Sequence, residues 1–230
     1  MFREKRTFKN SKGLVLSAVF EGDDKKAPTV VICHGYASSK DSESQQDLSK
    51  RLLAAGFSVY RFDFTGCGES EGSLSDLTPK NGLDDLKSAV KNLNIEKFAI
   101  HGSSFGGYTA LLYASENPPL ALTLKAPVSD YPAVLSADED EERPSRDKIL
   151  KETSNLDIYQ KAKNVKCNVL IVHGDADEVV PLKQSKDLLE SLGSKTKKLD
   201  IIKDAPHTMR GRHMHQAHQR IADFLKELFF

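Results

Sequence analysis

The stretch FAIHGSSFGGYTA, residues 98–110, decides how the rest of the chain is to be read. A short apolar run meets Gly102, Ser103, Ser104, Phe105, Gly106 and Gly107, after which an Ala/Leu-rich segment begins. Ser104 is the centre of a G-x-S-x-G pattern. A serine at a sharp strand-to-helix turn sits in strained backbone, and the residues two before and two after it must be nearly side-chain-free for the chain to pass itself. Gly102 and Gly106 supply that clearance. The pattern arises by chance in many chains, so its surroundings carry the weight. Residues 97–100 read as the strand that must precede it, and residues 108–117, stopped by Pro118 and Pro119, as the helix that must follow. Such a turn lifts the hydroxyl above a helix N-terminus, whose amides favour negative charge nearby. Ser104 is therefore a candidate nucleophile.

Outward from this turn the chain alternates strands and helices. On the N-terminal side, residues 6–21 alternate polar and apolar around Lys12 and Gly13, as two antiparallel strands joined at a turn do. The run TVVIC (residues 29–33) reads as a strand buried on both faces, a helix follows over residues 39–55, and FSVYRFDF (residues 57–64) is the next strand. A helix near residues 82–93 leads to the central turn. Beyond it come strands at residues 120–126, 168–172 and 198–202, with helices at 183–192 and 216–230. This rhythm implies a mostly parallel, doubly wound sheet whose function gathers in loops at the strand C-terminal ends. Residues 128–166 are too long for a simple crossover and read as a small cap insertion, helical over 147–163. Its acidic run at residues 138–142 reads as a solvated loop rather than a cation site. Its apolar residues Tyr131, Val134, Leu135, Ile149, Leu150, Leu156, Ile158 and Tyr159 either roof the site or pack onto the core.

Length and composition narrow the function. The 230 residues suit one α/β domain spanning 1–230, and 33 basic against 33 acidic residues leave no net charge and no footprint for nucleic acid. No run approaches the ~20 apolar residues that cross a membrane. Cys33, Cys67 and Cys167 lie far apart without metal-finger spacing, and no secretory signal is recognisable, so a reducing, cytoplasmic setting is expected. The expected partner is a small-molecule ester, with neither nucleic acid nor membrane, and a homodimer is left open. No cofactor and no metal are implied: His213, His215 and His218 are spaced so that they do not share one helix face.

The turn at Ser104 resembles that of the α/β-hydrolase superfamily, in particular its small carboxylesterase, serine-aminopeptidase-like and feruloyl-esterase-like members. The resemblance implies an α/β-hydrolase fold, with helices on both faces of a mostly parallel central sheet, and a triad in the chain order Ser, acid, His. HGDADEVVP follows the strand at 168–172 and DAPH follows the strand at 198–202, so Asp177 and His207 fill the acid and base positions. Asp175 and Glu178 compete for the acid role on spacing alone. The resemblance favours Asp177, and Asp175 suits a turn after Gly174. His34, His101 and His173 each precede a glycine at or near a strand end and read as structural. The oxyanion hole is expected from the amide of Phe105 and, by resemblance, that of Tyr36 in the loop after TVVIC, beside Gly35. DFTGCGESEG (residues 63–72) resembles the family's D-x-R-G-x-G-x-S loop, with Thr65 at the Arg position; Asp63 and Ser70 are expected to support the oxyanion loop, and Cys67 lacks the setting of a nucleophile. Together these imply a serine hydrolase acting on short-acyl or aromatic-acyl esters, since the charged insert does not suit a lipid-surface lid. A peptidase, amidase or thioesterase with the same triad comes second, and a catalytically silent scaffold is the reading from another class.

Overall fold

The computed structural model describes residues 2–22, 27–137 and 143–230. The alternation around Gly13 folds as an antiparallel pair, β1 (Phe2–Lys9) and β2 (Val15–Gly22), and β2 lies against β4 (Ser58–Phe62). With β3 (Thr29–Cys33), β5 (Phe98–Ser103), β6 (Ala121–Lys125), β7 (Asn168–Gly174) and β8 (Lys197–Ile202), they form one sheet in the order β1-β2-β4-β3-β5-β6-β7-β8. The ladders from β4 through β8 are parallel. The helices are α1 (Glu43–Ala54), α2 (Pro79–Leu93), α3 (Phe105–Glu116), α4 (Tyr131–Ala137), α5 (Arg146–Thr153), α6 (Ile158–Ala162), α7 (Leu182–Ser191) and α8 (Gly211–Phe229).

The period of two along each strand divides the interior into two cores. Val31, Cys33, Ile100, Leu122, Leu124 and Ile171 face α2 through α7, whereas Val30, Ile32, Val59, Ala99, Leu170 and Val172 face α1 and α8. Leu48 and Leu52 of α1 meet Ala217, Ile221 and Leu225 of α8 across that second core. The same alternation sends His101 and Ser103 of β5, and Thr123 and Lys125 of β6, to the α1/α8 face. All four are buried there.

The apolar residues of the insert between β6 and β7 pack onto the core. Tyr131, Val134, Leu135, Ile149 and Ile158 are buried in the larger core, with Leu150, Leu156 and Tyr159 partly buried against it. The single helix expected over residues 147–163 is divided into α5 and α6. The Asp157 side chain accepts from the amides of Tyr159 and Gln160 and so starts a new helix, and Ser154 and Asn155 before it are weak helix formers. The acidic run at residues 138–142 lies outside the described residues. Among those described, no helix is long and apolar enough to cross a membrane.

The antiparallel edge is tied to the parallel sheet by a charge pair. Arg61 of β4, 2% exposed, donates from Nη2 to Glu21 Oε2 at 2.8 Å and from Nη1 to the Lys40 carbonyl, and Ser49 Oγ donates to the same Glu21 oxygen at 2.7 Å. Removing one partner of such a pair strands the other charge in the interior. Glu21→Ala is expected to cost about 3 kcal/mol in urea unfolding, the low end of the range because Asp41 remains beside Arg61. A loss below ~1 kcal/mol would mean that the pair is dispensable.

Candidate active site

The loops following β3, β5, β7 and β8 meet at one end of the sheet. After β5 the chain reverses into α3 through Ser104, whose φ of 51° and ψ of −113° lie in a sparsely populated region. The reversal is possible because its neighbours lack Cβ atoms: one on Gly102 would land on the carbonyl of Gly106, and one on Gly106 on the carbonyls of Cys33 and His34. The Ser104 amide donates to the Lys125 carbonyl at 3.0 Å, and its own carbonyl accepts from Gly107 and Tyr108 at 2.9 and 3.2 Å. The strained residue is thereby held at both ends.

Ser104 Oγ lies 3.1 Å from His207 Nε2, and His207 Nδ1 lies 2.8 Å from Asp177 Oδ2. The carboxylate fixes the tautomer, because Nδ1 must donate to it and Nε2 is left to accept from the serine hydroxyl. Asp177 Oδ1 accepts from the amides of Val179 and Val180 at 3.0 and 2.7 Å. His173 Nε2 lies 3.0 Å from Oδ2 and 2.9 Å from the Val180 carbonyl, which share its proton, and its Nδ1 lies 2.6 Å from Ser185 Oγ. Burial opposes charge on Asp177, but hydrogen bonds from His173 and then His207 outweigh it and hold the carboxyl well below the usual range.

All three acids of the loop after β7 brace the loop after β8. Asp175 Oδ1 accepts from the Asp204 amide at 2.6 Å, Glu178 Oε2 accepts from the His207 amide at 3.2 Å, and Asp177 meets the imidazole. Spacing does not separate them, since each is aimed at the same loop.

On the other side of Ser104, the amides of Tyr36 and Phe105 have no backbone acceptor among the described residues. The Tyr36 hydroxyl is 2.7 Å from Ser145 Oγ, and its ring meets Phe105 edge to face at 6.3 Å and carries Arg143 4.6 Å above its centroid. The insert therefore reaches the site through polar residues. Asp63 accepts from the Lys40 amide and Nζ at 2.6 and 2.8 Å, and the Ser70 hydroxyl donates to the Asp63 carbonyl at 2.7 Å, so this loop braces the segment after β3. His34 and His101 are buried among local partners: His34 Nε2 accepts from the Phe64 amide at 3.1 Å, and His101 Nδ1 lies 3.0 Å from Thr123 Oγ1. His213, His215 and His218 lie on α8, and His218 is buried with Nδ1 2.7 Å from Asp47 Oδ2. Burial pushes the Cys67 thiol up to about 12, which makes it a poor nucleophile at neutral pH.

Two contacts go beyond what the sequence implies. His173 makes the local bonds expected of a strand-end histidine, to Ser185 and Val180, and its i,i+4 spacing to Asp177 is the signal for its further contact with that carboxylate. Lys125, beside the elbow on β6, borders the same cavity as Ser104 and His207, a space of about 300 Å³. An isolated lysine at the end of a strand gave no sign of burial.

Fold and site together define a member of the α/β-hydrolase superfamily. The profile of the prolyl oligopeptidase family matches residues 46–229, and the chain belongs to that family. Among curated relatives, an uncharacterized Mycobacterium tuberculosis protein is 27% identical over 165 residues, covering 70% of this chain and 57% of its own length. This chain thus matches little more than half of that relative. The mitochondrial palmitoyl-protein thioesterase ABHD10 of Bos taurus is 22% identical over 209 residues, 80% of this chain and 68% of that protein. Among solved structures, Est1E from Butyrivibrio proteoclasticus with ferulic acid bound superposes with a TM-score of 0.86 at 20% identity, covering 97% of this chain and 98% of that one.

His173→Phe keeps an aromatic ring but removes the Nε2 donor that Asp177 shares with the Val180 carbonyl, and is expected to cost about 2 kcal/mol at pH 7. Because the folded-state pKa of Asp177 is depressed, its contribution is present above the unfolded carboxyl value near ~4 and is lost as pH falls through the folded value. The gap between wild type and variant in urea unfolding should therefore narrow below about pH 4. An equal gap at both pH values would contradict the role given to His173.

Proposed function

We propose that the protein is a serine hydrolase that cleaves carboxylic esters of small soluble acids through an acyl-enzyme. One observation carries this: the unbroken hydrogen-bonded line from Ser104 Oγ through His207 to Asp177, at the wall of a cavity that also borders Tyr36. His207 Nε2 takes the hydroxyl proton as Ser104 Oγ adds to the ester carbonyl, and buried Asp177 stabilises the imidazolium. The N–H groups of Tyr36 and Phe105 donate to the oxygen that becomes negative. Collapse expels the alcohol, which takes its proton from His207. Water, deprotonated by His207, then adds to the acyl group and releases the acid, restoring Ser104.

The small cavity supports short-acyl or aromatic-acyl substrates over long lipids. A reducing, cytoplasmic setting is part of the same proposal, supported by three cysteines without a disulfide. Thioester cleavage is the second reading, favoured by the name of the bovine relative, and peptide cleavage is suggested by the name of the family. The three share one acyl-enzyme chemistry and differ in leaving group.

A fluorophosphonate probe should label the wild type at Ser104 and leave Ser104→Ala unlabelled. On a short p-nitrophenyl ester, Ser104→Ala should lower kcat by roughly 10⁵- to 10⁶-fold. Folded wild-type protein that takes no label would replace the hydrolase with a silent scaffold. A panel of matched oxygen esters, thioesters and aminoacyl amides ranks the leaving groups by kcat/KM.

A further inference from the structure

The α1/α8 face of the sheet carries a buried polar line that the acyl-transfer chemistry leaves unused. Lys125 Nζ donates to Ser44 Oγ at 2.9 Å, Ser44 Oγ lies 3.3 Å from His218 Nε2, and His218 Nδ1 lies 2.7 Å from Asp47 Oδ2. The directions are fixed in sequence. Asp47 accepts from His218 Nδ1–H, so Nε2 accepts from the Ser44 hydroxyl, which in turn accepts from Lys125. Burial and then the Lys125 charge lower the His218 pKa to about 3, so the imidazole is neutral and adds no cation. Asp47 also accepts from Arg51 Nε at 2.9 Å, which already compensates its charge. Lys125 is left 7% exposed, with one hydrogen bond among the described residues and no carboxylate against it.

What Lys125 faces is the cavity of Ser104. Its strand pairs with β5 so that Lys125 lies opposite Ser103, and its carbonyl accepts from the Ser104 amide. Among the described lining residues the cavity has two cations, Lys125 and Arg143, and no acid. The same wall continues into the first turn of α1, where Ser42 makes no cap hydrogen bond with its side chain. Ser42 Oγ and Gln45 Oε1 are buried there without a partner, and Gln45 is 4% exposed. This wall therefore holds unused polar capacity, a hydroxyl donor from Ser42. A buried ammonium beside an uncommitted hydroxyl and a helix N-terminus is a built environment for an anion.

We propose that Lys125, with Ser42, forms a subsite for a carboxylate carried by the substrate, so that the enzyme prefers half-esters of dicarboxylic acids to neutral esters. This deepens the esterase assignment and rests on it. The single buried ammonium matches one negative charge, whereas a phosphate monoester brings ~1.5 to 2. Arg143 is half-buried and stacked on Tyr36 and is not needed for the balance. Burial draws the Lys125 pKa down to about 8, against the pull of Asp47, which leaves the ammonium charged at neutral pH.

The test compares monomethyl adipate with dimethyl adipate as the ratio of their kcat/KM values at pH 7, which is insensitive to the fraction of protein folded. Wild type should favour the half-ester by about 10- to 100-fold, the range for a charge-assisted hydrogen bond. Lys125→Met should bring the ratio to ~1, mostly through the KM of the half-ester, and Lys125→Arg should restore part of it. A wild-type ratio near one, or a preference that survives Lys125→Met, overturns the proposal. Calorimetric binding of the same two compounds to Ser104→Ala separates the two assignments. If wild type hydrolyses neither ester and takes no fluorophosphonate, the esterase assignment fails, and the subsite stands only if the half-ester still binds at least ~10-fold more tightly than the diester. Equal binding of the two removes the subsite whatever the enzyme does.

Discussion

The backbone of one residue constrains the rest of the structure. Ser104 holds φ of 51°, a conformation that costs a non-glycine residue roughly 1–3 kcal/mol and persists only where its surroundings over-determine it. Here they do so from three sides. β6 takes its amide, α3 takes its carbonyl, and the carbonyls of Cys33 and His34 come so close that residue 106 has no room for a side chain. Strand order β3-β5-β6 is thus built into the turn, because the strand on either side supplies part of what holds it. Phe105 then closes the arrangement from below, packing edge to face against Phe64 and Tyr36.

The other loops are braced by charge. Lys40, buried beside Asp63, fastens the segment after β3 to the segment after β4, and although burial opposes its charge, the hydrogen bonds it donates to Asp63 and Glu69 hold its ammonium above its ordinary range. Three carboxylates after β7 grip the loop after β8 at three points. Such braces are weak evidence for stability, since desolvating a charge can cost as much as its partner returns. Their effect is geometric: they fix the position of an imidazole on a loop, where a shift of ~1 Å costs about a hundredfold in rate.

How much of this was legible follows from the range of the interactions. β3 is legible to the residue because four apolar residues after Pro28 and Thr29 admit few alternatives. The elbow was legible because glycine at 102 and 106 is a local demand with a local signature. Ser104, Asp177 and His207 were named from motif and chain order, and the structure brings their side chains together. The break between α5 and α6 was missed because a cap at Asp157 competes with helical periodicity that continues through it. Lys125 was missed for a different reason. Its burial is set by α1 and α8, elements some 80 and 90 residues away in sequence, and no window around KAP contains them.

That long-range origin bears on what the buried line is for. The core shared by α2 through α7 takes mostly apolar residues from its strands, and a leucine at 125 continuing the ALTLK run would have extended β6 at lower cost. Thr123 and Lys125 instead place polar groups against a helix pair that is otherwise closed by Leu48, Leu52 and Ile221. A lone ammonium held off its normal pKa by burial stabilises nothing by itself. Ser44 and His218 orient it without neutralising it, because the hydroxyl and the neutral imidazole carry no charge and Asp47 is committed to Arg51. An arrangement that points a charge and withholds its counter-ion, one residue from a strained serine in the neighbouring strand, makes sense if the counter-ion arrives with the ligand.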